Sequence, residues 1–156
     1  KNGERQYRLN FVSGLKKGMN ESWHDNGAPK TKSEFEIFES DDGKSLYSAV
    51  KESTAWDEDG AKRQGSFSKG KRHGEIRGWH ANGQPAFVTN WVEGKADGKT
   101  QGWHASGAPA LRGEWKLGKK IKEACWDAKG KEAKCKSVKK RLWKQNKQWS
   151  EWWGAW

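Results

Sequence analysis

Three stretches of the chain, Phe11 to Pro29, Phe67 to Pro85 and Trp91 to Pro109, superimpose without a gap. Each reads aromatic-x-x-Gly-x-x-x-Gly-x-x-x-x-Trp-His-x-(Asn/Ser)-Gly-x-Pro, and the last two copies are offset by 24 residues. Self-similarity at a fixed period marks a repeat architecture, in which each unit buries itself only against its neighbours. Another aromatic follows each Pro by six residues, at Phe35, Trp91 and Trp115, so an aromatic recurs about every 12 residues from Phe11 to Trp126. That length suits one strand and one tight turn. The interval from Phe35 to Trp56 is longer, at 21 residues, and an insertion is expected near 40–50.

The turn chemistry agrees with the period. Asn26-Gly27, Asn82-Gly83 and Ser106-Gly107 supply residues that accept positive φ, as two-residue hairpin turns require. Gly70-Lys71, Gly94-Lys95 and Gly118-Lys119 mark turns at the opposite end. Two turns per unit predict an up-and-down antiparallel meander. With two-residue turns at each position, Trp91 pairs with Gly74 and Gly98, Trp115 with Gly98, Trp79 with Ala86, and Trp103 with Ala86 and Ala110. Phe67, Trp79, Trp91, Trp103, Trp115 and Trp126 then form structural aromatic rows in which large rings lie beside small cross-strand residues. Simple alternation puts the two rows on opposite faces, and one bulge would merge them.

Composition fits this reading and excludes a thick aliphatic core. Leu, Ile, Val and Phe are scarce, while the 156 residues include 12 Trp and 19 Gly. Scarce aliphatics with a net charge of +11 would ordinarily indicate disorder. Aromatics at fixed spacing argue instead for a thin ordered sheet. The expected fold is an all-β, elongated, single-layer antiparallel meander over 1–135, followed by a short amphipathic helix within a basic Trp-rich tail, 136–156. No run of apolar residues is long enough for a spanning helix.

The units "FSKGKRHGEIRGWHANGQP" and "WVEGKADGKTQGWHASGAP" resemble the bacterial variant of the MORN repeat: an aromatic, Gly-Lys-x-x-Gly, a Trp or Tyr, then Asn-Gly. The resemblance covers roughly residues 7–132, most closely 67–126, and residues 38–55 depart from it. It implies an elongated antiparallel sheet acting as a scaffold or partner-binding module, and many bacterial relatives are labelled antitoxin or immunity proteins.

His24, His80 and His104 each follow the Trp of a unit. Equivalent residues in successive hairpins lie roughly 9–10 Å apart, too far to share one zinc ion easily, so they are read as turn-flanking polar residues. No metal, cofactor or small-molecule substrate is expected, and no nucleophile-base pair recurs, so the chain is not expected to be an enzyme. Cys125 and Cys135 flank Trp126 to Lys134, and the favoured reading is a disulfide across the last hairpin; two separate reduced thiols are the alternative. A disulfide would imply an oxidising compartment, hence a periplasmic or secreted protein whose leader has been removed.

The tail, KSVKKRLWKQNKQWSEWWGAW, carries a different pattern. Residues 1–115 have a net charge of +2 and residues 116–156 of +9. Val138, Leu142, Gln145, Trp149, Trp152 and Trp156 recur at three- and four-residue steps, as on one face of a helix of about four turns. The tail can fold back on its own sheet, dock into another protein, lie in an anionic membrane interface or stay disordered. The expected partner-binding set is Lys139, Lys140, Arg141, Leu142, Trp143, Trp149, Trp152, Trp153 and Trp156. Basic segments with aromatics can hold single-stranded nucleic acid, but the repeat aromatics lie in near-neutral sequence and no nucleic-acid motif is present. The reading of the whole is a non-catalytic protein-binding scaffold, an exported component of a larger assembly anchored through its tail. The alternative is an immunity or antitoxin protein that masks a toxin.

Overall fold

A computed structural model describes residues 6–145 of the chain. Its main element is one ten-stranded antiparallel sheet, a meander that does not close into a barrel. The strands are β1 (Tyr7–Arg8), β4 (Gly18–Trp23), β5 (Pro29–Glu39), β6 (Leu46–Trp56), β7 (Lys62–Ser68), β8 (Lys71–Trp79), β9 (Pro85–Val92), β10 (Lys95–Trp103), β11 (Pro109–Lys116) and β12 (Lys119–Cys125). A separate small hairpin, β2 (Phe11–Val12) and β3 (Leu15–Lys16), packs beside β5 and β6. One helix, α1 (Cys135–Gln145), follows the last strand. The insertion does not interrupt the sheet. It lengthens β5 and β6 to 11 residues each, and Phe38 stacks on its cross-strand partner Tyr47.

Two turn types alternate. At one end the turns, apart from the longer one between β5 and β6, take two residues in positive φ, as in Glu93-Gly94 (φ 49° and 79°) between the paired Val92 and Lys95. This is the mirror-image turn whose twist matches that of the strands. Ser13, Lys69 and Leu117 occupy the same first position. These turns therefore begin one residue earlier than the expected Gly-Lys pairs. At the other end the loops take three residues. The amide of His80 donates to Gln84 O, that of Gly83 to His80 O, and Gly83 sits at φ 81°, which is a turn closed by a glycine bulge.

These turns decide the register. Gly74 faces Trp91 and Gly98 faces Trp115, as expected. Trp91 faces Ala96, not Gly98, because the turn is Glu93-Gly94. Trp79 and Trp103 face Pro85 and Pro109, not Ala86 and Ala110, because the three-residue loops shift the adjoining pairs by one. Bulges beside each turn restore the expected frame further along, where Gly78 faces Phe87 and Thr100 faces Thr89.

Each face carries its own rows. One runs Gly78, Phe87, Gly102, Leu111, Cys125, and a second runs Ile76, Thr89, Thr100, Gly113, Glu123. Phe87 and Ile76 are fully buried, and Phe87 lies flat over Gly78. The same rows continue through Arg63, Ala55, Thr31 and Ser22, and through Gly65, Ser53, Ser33 and Asn20. In that half, apolar packing gives way to hydroxyl pairs across strands: Ser22 with Thr31 at 2.6 Å and Ser33 with Ser53 at 2.7 Å. Helix α1 covers the far end, with Val138 and Leu142 buried against the cluster of Leu111, Cys125 and their neighbours. This face is the inner face. Trp91 and Trp115 belong to it by alternation with Thr89 and Gly113, and both join its core.

Candidate functional site

The opposite, outer face is built from residues that the inner rows leave pointing away. Its central row runs Arg8, Glu21, Lys32, Thr54, Gln64, Arg77, Val88, Gln101, Arg112, Ala124. No described element is laid over it. Beside this row, at the end with the three-residue loops, alternation places Trp23, Trp56, Trp79, Trp103 and Trp126 on the same face, all half-buried. The two aromatic sets thus lie on opposite faces, one structural and one superficial.

Cations accompany the outer tryptophans. Lys62 Nζ lies 4.0 Å from the Trp79 ring centroid, while Arg8 and Arg112 lie at 5.8 Å and 5.9 Å from Trp23 and Trp126. A groove of about 430 Å³ crosses β10, β11 and β12, lined by Lys99, Gln101, Arg112, Glu114, Lys122 and Trp126 among others. Lys122 bonds Glu114 at 2.7 Å. That ammonium, with a smaller contribution from Lys99, holds the Glu114 carboxyl below the usual carboxylate range. A shallower groove of about 330 Å³ lies between Gln64, Ser66, Glu75, Arg77 and Trp79. Glu75 bonds Arg77 there. The face can offer flat aromatic surface, guanidinium and ammonium groups and side-chain amides.

The histidines fix the ends of this tryptophan row. His24, His80 and His104 each bond through Nε2, at 3.0 Å, to the main-chain oxygen of Trp56, Trp103 and Trp126 in the next hairpin. A carbonyl only accepts, so each Nε2 carries the proton. Asn82 Nδ2 also donates to Ala105 O at 2.8 Å, tying one turn to the next. Burial lowers the His80 pKa, and nearby His104 adds to this, against the opposing effect of the Trp103 carbonyl. Two hairpins have Asp, at Asp57 and Asp127, where the others have His, and Arg63 donates to Asp57 at 2.7 Å, both side chains largely buried. Sequence spacing indicated turn-flanking polar groups. It did not reveal that each bond crosses to a different hairpin, although the fixed Trp-His adjacency was the available signal.

The cysteines form a disulfide, Cys125 to Cys135, with Cα atoms 5.1 Å apart. It joins the end of β12 to the start of α1. A carboxylate oxygen of Glu123 lies within 4.8 Å of both sulfurs, and Lys139 pairs with Glu123.

Of the residues expected to bind a partner through the tail, the four whose side chains are described, Lys139, Lys140, Arg141 and Leu142, do not share one surface. Leu142 is a core residue, 0% exposed, and this corrects its assignment as a partner contact: its side chain fills the space over Leu111 and Cys125. Lys139 is 15% exposed and occupied by Glu123. Lys140 and Arg141 are exposed. The side chain of Trp143, and Trp149, Trp152, Trp153 and Trp156 entirely, lie outside the described residues. The described part of the helix spans 11 residues, about three turns, and Val138 and Leu142 dock it on the protein's own sheet. Among the described residues no helix is long and apolar enough to cross a membrane.

Neither a scan against protein-family models nor a search of curated proteins finds a match to this chain.

Proposed function

We propose that this is a non-catalytic binding and scaffold protein that meets another protein across its outer sheet face. One observation carries the reading: the sheet is sided. Its inner face is filled by its own rows and by α1, whereas no described element covers the outer face, which repeats a tryptophan on alternate strands and places a cation at three of them, Trp23, Trp79 and Trp126. Aromatic and arginine side chains are the usual energetic centres of interfaces. The likeness of the units to MORN repeats supports the same role. The disulfide is compatible with an oxidising compartment, and we place the protein outside the cytoplasm, as a component of a larger assembly. The exposed Lys140 and Arg141, with the rest of the basic tail, supply a second point of attachment to that assembly or to an anionic membrane surface.

Cross-linking of the native protein in its own cells, read by mass spectrometry, tests this. Links to a partner should originate from Lys32, Lys99 and Lys122 on the outer face. Links confined to the turns would refute it. Capture of one protein in a one-to-one complex would identify the immunity role in place of the assembly role.

A further inference from the structure

We infer that the tryptophan row of the outer face is a platform for an extended, anionic glycan of β-linked sugars. The inference rests on the proposal above that the outer face is the binding face, and it adds the chemistry of one ligand. The five indoles sit on alternate strands, β4, β6, β8 and β10, and immediately after β12. Two inter-strand steps separate successive rings, roughly 9–10 Å. An extended β-linked glycan repeats after two sugars, because alternate rings are turned over, and that repeat has close to this length. Every second sugar can therefore present the same apolar face to a successive indole.

The surroundings match the rest of such a chain. Pro85 and Pro109, exposed partners of Trp79 and Trp103, continue the apolar strip between rings. Thr54, Gln64 and Gln101 in the adjoining row offer hydroxyl and amide groups to sugar hydroxyls. That row holds Arg8, Lys32, Arg77 and Arg112 against one acid, Glu21, which already pairs with Arg8 at 2.9 Å and Lys32 at 3.7 Å. Lys62 stands within the tryptophan row itself. A carboxylated sugar stacked on an indole would have a cation beside it at Trp23, Trp79 and Trp126. Lys62 must swing off the Trp79 ring to meet that carboxylate, which its flexible stem permits. Single-stranded nucleic acid also combines stacking with cations. Its bases follow one another at shorter intervals than these rings, so it fits the row less well.

Affinity electrophoresis of the intact protein in native gels tests the inference at physiological ionic strength. Gels contain carboxymethyl-cellulose, polyglutamate as a polyanion without sugars, or poly(dT). Carboxymethyl-cellulose should retard the protein most. Trp103→Ala should weaken that binding by about tenfold, the loss of one stacking contact. Arg112→Gln, at an exposed position, should weaken it without altering the melt, which keeps the test valid if Trp103→Ala misfolds. Equal retardation by polyglutamate, stronger retardation by poly(dT), or none in any gel would overturn the inference. A negative gel alongside protein cross-links from the outer face would remove the glycan and leave the binding face standing. Retardation by the glycan with cross-links confined to the turns would support the glycan and refute the protein-partner reading.

Discussion

Gly78→Ala is the smallest change that tests the packing of the inner face. A Cβ at this position would lie 2.1 Å from Cε1 of Phe87, with two further ring carbons at 2.6 Å and 2.7 Å. Carbon atoms pack best at about 3.5–4.0 Å, so the ring would have to retreat by roughly 1.5 Å. Phe87 is fully buried, between Gly78 on one strand and Gly102 on the other. Its displacement therefore disturbs β8, β9 and β10 together. Overpacking of this kind costs about 1–3 kcal/mol, and the depth of the clash favours the upper end. For a chain of this size, about 3 kcal/mol lowers Tm by roughly 6–12 °C. Thermal unfolding followed by circular dichroism reads the shift. The control is the same substitution in a Phe87→Ala background. There the clash is absent, and Ala for Gly in a strand should be neutral or stabilising by about 0.5–1 kcal/mol. A wild-type melt for Gly78→Ala, or an equal cost with and without the Phe87 ring, would refute the argument.

Leu142→Ala should destabilise by about 2–5 kcal/mol, because the side chain is fully buried over β11 and β12; an unchanged urea midpoint would mean the helix does not dock. Leu117→Asn should stabilise by about 0.5–1 kcal/mol, since Leu117 is 55% exposed at φ 47° in the first position of a mirror-image turn; differential scanning calorimetry checks the sign. Reducing the disulfide should cost about 2–3 kcal/mol, seen as a lower Tm with reductant that Cys125→Ser/Cys135→Ser reproduces without it. Stability should fall as pH drops through 6.5, the ordinary histidine value, because burial lowers the His80 pKa. Below 6.5 the unfolded chain takes up a proton that folded His80 declines, so the loss grows until the lower folded pKa is reached. The slope of Tm between pH 7.5 and pH 5 (roughly the histidine range) should flatten in His80→Gln.

The sheet and the disulfide are legible in the sequence because each depends on spacing. Period places Trp79 and Trp91 in separate rows, but the sequence leaves open whether those rows share a face, because one bulge would merge them. Turn geometry was less legible. Asn82-Gly83 reads equally well as a two-residue turn or as the end of a three-residue one, and only the main-chain bonds at His80 distinguish them. Gly74 still meets Trp91 because the one-residue shift at this turn is cancelled by the bulge beside Trp79. The fate of Leu142 was not legible at all. An amphipathic stripe shows that a helix face will be covered, and the cover, here Leu111 and Cys125, belongs to distant strands. A fixed period is what a sheet requires of its tryptophans, and period alone says nothing about which face is left open.

The unequal filling of the inner face gives the molecule a direction in time. Among the described residues its apolar cluster runs from Ile76 to Leu142, and the disulfide lies beyond Leu111. The first hairpins have hydroxyl pairs in place of that cluster. A chain emerging from its amino end thus presents its hydroxyl-paired hairpins first and cannot complete this cluster until Leu142 has been released. Hydrogen exchange should reveal the gradient as amides that open early in β4 and β5 and late in β9 to β11.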